Sequence, residues 1–294
     1  MARWRRILIA VAAVVLVLLF VVLPFFVAWN LLHPARNQTT LSPRDLGLSF
    51  ESVALRSADG VALQSWFVPG NRTDAAILLV HGYQGSKASM LPQAEFLHRA
   101  GYPLLLLDLR NHGRSQDSLT TFGLLEWQDA VAAADHLQGR NFSRLGILGV
   151  SMGSSTALHA AARDPRFAAV VSDVGFHSLR ESAGDAFRNI VGLPDAVFLP
   201  MTSWWGQVLG GASMDDIAPG REIGRISPRP VLIIHTDADR LTGAAAGRRL
   251  FEAAGEPKEF WAVPDAEHGR VHQKYTAEYE ARVLGFFDRN LAPA

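Results

Sequence analysis

Gly149-Val150-Ser151-Met152-Gly153 closes an apolar run that begins at Leu145 and opens a stretch of small residues, Gly153-Ser-Ser-Thr-Ala-Leu158. The run reads as a buried strand and the small residues as a helix packed close behind it. A serine at the tip of so tight a turn is thrust out of the sheet edge, where a base can reach its hydroxyl. The flanking glycines permit the strained backbone and the close strand–helix approach. The pattern alone is weak, and its weight depends on what surrounds it.

Outward from this turn the chain alternates. Residues 75–80, 103–107, 145–150, 168–171 and 231–234 are short apolar runs suited to strands buried on both faces. Residues 87–100, 122–137, 242–254 and 275–290 have helical spacing, and 259–263 is a short last strand. Residues 48–56 and 61–68 read as a hairpin joined through Ala58-Asp59-Gly60. The expected fold is α/β, a mostly parallel doubly wound sheet with an antiparallel N-terminal hairpin. Residues 177–227 break the alternation and are too long for a structureless loop. They predict a helical lid over the strand ends. Its Phe198, Met201, Trp204 and Trp205 are candidate pocket residues, although packing within the lid explains such aromatics equally well.

The chain has 294 residues, 49% of them hydrophobic, and a formal net charge of zero. No basic block follows the first six residues, which argues against nucleic acid as the main partner. The absence of cysteine excludes disulfides, thiolate catalysis and a lipoprotein anchor. Residues 7–29 are uncharged and interrupted only by Pro24. As a helix they would cover about 35 Å, enough to cross a bilayer. Arg3, Arg5 and Arg6 precede them, while Arg36, Arg44 and Asp45 follow. The positive-inside bias then puts the N-terminus in the cytoplasm and the globular domain outside, with Trp29 at the outer interface. A cleaved signal peptide is the rival, with an unusually long apolar core and no clean cleavage site before Asn30. The expected division is a basic tip and anchor over 1–29, a polar linker over 30–47, and a domain over 48–294.

Three further constellations surround Ser151. His81-Gly82-Tyr83-Gln84-Gly85-Ser86 follows a buried strand, where backbone amides can be aimed across the top of the sheet. Negative charge builds on a carbonyl oxygen during acyl transfer, and preorganised N–H groups stabilise it. The N–H groups of Tyr83 and Met152 are the candidates. Asp239 lies just past the 231–234 strand, with Asp237 and Asp173 as rival acids. His268, in Pro264-Asp-Ala-Glu-His268-Gly269, is the candidate base, with His272 as rival. His268 and His272 have a spacing that suits metal, but no HExxH motif or carboxylate cluster completes a site. No metal or organic cofactor is expected.

The order Ser151, Asp239, His268 distinguishes one class of serine-nucleophile fold from others. On these residues, together with Leu79-Val-His-Gly-Tyr-Gln-Gly85, Leu107-Asp-Leu-Arg-Asn-His-Gly-Arg-Ser115, Ile234-His-Thr-Asp-Ala-Asp239 and Ala266-Glu-His268, residues 48–292 resemble the α/β-hydrolase superfamily. Within it the chain looks like membrane-anchored, small-lid members related to the prolyl-oligopeptidase and serine-aminopeptidase branches. Thr121-Phe-Gly123 with Glu126 and Asp129 is similar to a segment common there. The resemblance implies Ser151 as nucleophile, Asp239 as acid, His268 as base, and the amide after His81-Gly82 in the oxyanion hole. Thr236 stands where that family usually has glycine, and Gly243 where it usually has proline. The 108–115 segment reads as structural support. The expected activity is hydrolysis of a small, apolar acyl substrate. A peptidase, thioesterase or acyltransferase on the same residues, or a binding protein on a retired hydrolase fold, are the alternatives.

Overall fold

The computed structural model describes residues 2–192 and 195–292. Eight strands form one sheet: β1 (Glu51–Arg56), β2 (Ala62–Val68), β3 (Ala75–Val80), β4 (Leu104–Asp108), β5 (Arg144–Val150), β6 (Phe167–Asp173), β7 (Val231–Thr236) and β8 (Lys258–Val263). Their spatial order is β1-β2-β4-β3-β5-β6-β7-β8. β1 pairs antiparallel with β2, β2 antiparallel with β4, and all later neighbours are parallel. The apolar runs of β3, β4, β5 and β7 are buried because helices cover both faces. The doubly wound sheet with its antiparallel start is therefore as the alternation implies.

The N-terminal helix comprises α1 (Ala2–Val17), a π stretch (Leu18–Val22) and α2 (Leu23–Leu32). From Arg3 to Leu32 it is long and apolar enough to cross a membrane. The remaining helices are α3 (Leu91–Arg99), α4 (Trp127–Gly139), α5 (Met152–Arg163), α6 (Leu179–Ala186), α7 (Asp195–Gly210), α8 (Ala246–Ala253), α9 (Val271–Lys274) and α10 (Thr276–Asn290). α6 and α7, with a π stretch (Phe187–Val191) and two short 3-10 turns, make the expected helical insertion between β6 and β7.

Several boundaries moved for local reasons. α4 begins at Trp127 rather than at residue 122 because the Glu126 carboxylate accepts from the N–H groups of Thr121 and Gly123. That holds Phe122 and Gly123 at positive φ, outside a helix. Likewise α8 starts at Ala246, because Thr242 is spent on Asp239.

The 30–47 segment is not a free tether. The Leu32 carbonyl accepts from Thr120 N–H and from Asn111 Nδ2, both at 3.0 Å. Arg36 pairs with Asp117 and donates to the carbonyls of His112 and Ser115. Polarity and two prolines suggested a linker; here the polar groups are used to seat the segment on the loop after β4.

Candidate active site

The β5–α5 turn does what its glycines suggest. Ser151 sits at φ 56°, ψ −117°, a conformation that costs a non-glycine residue about 1–3 kcal/mol and persists only where the surroundings impose it. They do so on both sides. A Cβ on Gly149 would lie 2.0 Å from the Gly153 carbonyl oxygen, and one on Gly153 would lie 2.3 Å from that of Val80. The Ser151 N–H donates to the Asp173 carbonyl at 2.8 Å, tying the turn to β6.

Three loops at the carboxyl ends of the strands bring Ser151, His268 and Asp239 together. His268 Nε2 lies 2.8 Å from Ser151 Oγ, and His268 Nδ1 lies 2.7 Å from Asp239 Oδ2. An ionised carboxylate only accepts, so Nδ1 carries the proton and Nε2 is free to accept from the serine hydroxyl. Asp239 also accepts at Oδ1 from the N–H groups of Leu241 and Thr242, and at Oδ2 from Thr242 Oγ1 at 2.8 Å. Burial opposes ionisation of this carboxyl, but the hydrogen bonds and charge of its partners outweigh burial and hold it below the ordinary aspartate range.

The rival residues lie elsewhere. Asp237 is exposed at the loop tip. Asp173 is buried and accepts from Tyr279 Oη at 2.8 Å. Burial raises its pKa to about 6, more than the Tyr279 bond and nearby His268 lower it. His272 packs on Tyr279, with Glu280 3.4 Å from its Nε2. The two unusual residues of the acid loop have local roles. Thr236 Oγ1 donates to the Ala266 carbonyl at 2.7 Å, joining the acid loop to the loop that carries His268. Gly243 is at φ 83°, where a Cβ would meet the Asp185 carboxylate.

The loop after β3 passes directly over the serine, since a Cβ on Gly82 would lie 3.3 Å from Ser151 Cβ. His81 sets its orientation. Its Nε2 accepts from Leu109 N–H at 3.2 Å, so Nδ1 is the donor to the Gly82 carbonyl at 2.7 Å. Burial, with help from His112, pushes its pKa down to about 4, which keeps this tautomer neutral. In a trans peptide the Tyr83 N–H then points opposite to that carbonyl. The N–H groups of Tyr83 and Met152 have no hydrogen-bond acceptor among the described residues. The 108–115 segment supports this loop: Asp108 accepts from Lys87 N–H at 2.6 Å and forms an ion pair with the Lys87 ammonium.

A cavity of about 340 Å³ opens above Ser151 and Met152. Tyr83, Phe122, Phe176, Phe187, Leu199 and Thr202 contribute to its lining, and none of the described residues that line it is charged. Phe198, Met201, Trp204 and Trp205 are not among the lining residues. Leu199 and Thr202 present one face of α7 to the cavity, whereas Phe198 and Trp205 lie on another face, against the N-terminal helix. Phe198 stacks with Phe20 at 5.9 Å between ring centroids, and Trp205 meets Phe25 edge-on at 5.1 Å. Trp204 is exposed and Met201 half-buried. Nothing in the spacing of these aromatics reveals the partner helix that claims them. Val27 and Leu31, which belong to α2, line the cavity as well. Nothing in their apolar run sets them apart from residues that face lipid.

A family model described as alpha/beta hydrolase fold matches residues 75–214. The protein YfhR of Salmonella typhimurium is 29% identical over 254 residues, covering 82% of each chain. YqkD of Bacillus subtilis is 26% identical over 298 residues, covering 97% of each. Among solved structures, an esterase of Pyrococcus furiosus superposes with a TM-score of 0.75 at 24% identity, covering 88% of this chain and 100% of its own. An acylaminoacyl peptidase of Pyrococcus horikoshii gives 0.64 at 18% identity, covering 83% of this chain and 41% of its own.

Proposed function

The chain belongs to the α/β-hydrolase superfamily, and from that premise we propose that it is a serine hydrolase of carboxylic esters or related acyl compounds. The observation that carries this reading is the hydrogen-bonded series Ser151–His268–Asp239 at a strained turn. Ser151 Oγ attacks the acyl carbonyl carbon while its proton passes to His268 Nε2. The carbonyl oxygen becomes an oxyanion, held by the N–H groups of Tyr83 and Met152. As it collapses, the bond to the leaving oxygen breaks and His268 returns the proton to that alcohol. Water then gives a proton to His268 and attacks the acyl-enzyme; the acid leaves and Ser151 regains its hydrogen. Asp239 fixes the His268 tautomer and stabilises the imidazolium formed in each half-reaction. No step calls on a metal or organic cofactor. A cavity without charged lining favours an apolar acyl ester over an aminoacyl substrate.

A fluorophosphonate probe tests the nucleophile. The full-length protein is expected to be labelled covalently and Ser151→Ala is not. Equal labelling of both would overturn the assignment.

The N-terminal helix is read as a retained anchor, with the arginine-bearing tip in the cytoplasm and the hydrolase domain outside. Its length and apolar composition support the span, and Arg3, Arg5 and Arg6 support the orientation. A C-terminal reporter that works only after export is expected to be active. Activity of a cytoplasm-only reporter at the same position would reverse the topology.

A further inference from the structure

The cavity over Ser151 and the apolar N-terminal helix are parts of one structure. Val27 and Leu31 of α2 form one wall, with Leu199 and Thr202 of α7 beside them. Three lining residues are also exposed and so mark the mouth: Val27 at 37%, Leu241 at 42% and Ile190 at 61%. These three rim residues are apolar, and Val27 belongs to the helix that is long enough to cross a bilayer.

The helix length fixes the depth of the lid. From Arg6, the last charged residue before the apolar run, to Phe20, the first residue stacked on the lid, there are 14 residues. At about 1.5 Å per residue they cover roughly 21 Å, whereas a hydrocarbon core is about 30 Å thick. With Arg6 at one interface, the remaining 9 Å or so must be spanned by Phe20 to about Phe26, the part of the helix that carries the lid. Tilt would deepen the lid further. α7 suits that position. It has no charged residue from Ala196 to Gly210, and Trp204 and Val208 are exposed on it. The Trp205 indole N–H donates to the Val21 carbonyl at 3.1 Å, beside the π stretch and Pro24, so this polar group is paired inside the apolar contact. Val27, one residue past that depth, places the mouth at the membrane surface.

We propose that this cavity is an acyl-chain pocket entered sideways from the bilayer, and that the substrate is a fatty-acyl ester of a membrane-resident glycerolipid. The inference rests on the serine-hydrolase reading of Ser151. The acyl chain passes between Val27 and the lid without crossing water, and its ester carbonyl reaches Ser151 at the cavity floor. A volume near 340 Å³ falls within the usual range of small-ligand pockets, about 300–1,000 Å³, and the uncharged lining matches a hydrocarbon chain.

The test uses the full-length protein in vesicles of phosphatidylethanolamine and palmitoyl-oleoyl-phosphatidylglycerol. Enzyme-free vesicles containing the same phosphatidylglycerol with a deuterated palmitoyl chain are mixed in, and released palmitate is read by mass spectrometry. Light palmitate is expected to predominate. Equal release of light and heavy acid would overturn entry from the bilayer. No release of either, with p-nitrophenyl butyrate still hydrolysed in a Ser151-dependent way, would overturn the lipid class and leave the serine-hydrolase reading intact. Loss of butyrate hydrolysis and of fluorophosphonate labelling together would remove that reading instead. Val27→Trp narrows the mouth and is expected to lower the ratio of palmitoyl to butyryl turnover by about tenfold or more. Leu16→Trp, on the exposed part of the helix far from the cavity, is expected to leave that ratio unchanged. If Val27→Trp is not labelled by the probe, Ile190→Trp at the exposed rim replaces it. Equal ratios in the rim variant and in Leu16→Trp would overturn the pocket assignment.

Discussion

The Tyr83 phenol donates to the main-chain carbonyl of Asn30 across 2.7 Å. That carbonyl lies in the last turn of α2, where helix carbonyls lack intrahelical partners. The bond therefore joins the end of the N-terminal helix to the loop that offers a candidate oxyanion amide. The Tyr83 ring stacks on Phe122 at 5.0 Å, and burial pushes its hydroxyl pKa up to about 12, so it remains a donor over any ordinary working pH. Tyr83→Phe keeps the ring and removes the donor. Loss of one such bond costs about 1 kcal/mol. We expect a kcat for p-nitrophenyl butyrate several-fold lower, from an oxyanion loop less firmly held, and a slightly lower melting temperature. A melting temperature that falls with kcat unchanged would mean that the bond stabilises the fold without orienting the amide.

Asp239 and Asp237 separate cleanly by substitution. Asp239→Asn preserves size but lets the side-chain amide donate, which disfavours the Nδ1-protonated tautomer of His268. The equivalent Asp-to-Asn change in a serine protease triad lowers kcat by about 10,000-fold, and a loss of that order is expected here. Asp237 is exposed, and the hydrogen-bond partners of His268 among the described residues are Asp239 and Ser151, so Asp237→Asn should keep kcat within a factor of about two. Steady-state kinetics of the two purified variants measure this. The reverse ranking would move the acid to Asp237.

The legible part of this chain was the part specified locally. Gly149 and Gly153 announce their turn because no other residue fits within 2.3 Å of the backbone atoms they face. Buried strands such as β3 are legible because every residue of Ala75–Val80 is apolar. What stayed hidden depends on distant partners. Trp205 looks the same in sequence whether it faces a ligand or Phe25, and Val27 looks the same whether it faces lipid or Ser151. Both were decided by the packing of α2 on α7, which no local spacing encodes. Arg110 gave no signal beyond its motif, yet it is fully buried between Asp129 and Asp59.

Asp173 makes stability depend on pH in a particular direction. Its carboxyl holds a proton up to about pH 6 in the folded chain, whereas an unfolded aspartate releases it near 4. Between those values the native state binds the extra proton, so stability falls as pH rises through the window and is level above it. Burial is the cause, and Tyr279 compensates only in part. Asp173→Asn retains an acceptor for Tyr279 and has no charge to bury. The variant should lack this decline and exceed the wild type at pH 7, by up to about 3 kcal/mol. Thermal unfolding in detergent across pH 4 to 8 would measure it. Parallel curves for the two proteins would show that Asp173 does not titrate in that window.

The Arg110–Asp129 pair tests whether the 108–115 segment is support or chemistry. Arg110 donates to both oxygens of Asp129, and both side chains are excluded from solvent. Removing one partner breaks a buried pair, at a cost of up to about 3–5 kcal/mol that the second carboxylate on Arg110, Asp59, offsets only in part, whereas replacing both by apolar residues of similar size is often close to neutral. Asp129→Asn should therefore lower the melting temperature sharply, and Arg110→Met with Asp129→Leu should recover much of it. A supporting role also predicts that each folded molecule keeps its turnover. Activity normalised to fluorophosphonate-labelled sites should then be similar in wild type and double variant. If the double variant regained its melting temperature but not its turnover per labelled site, the segment would have to act on the reaction itself, through the Leu109 N–H that holds His81 or the carboxylate that holds Lys87.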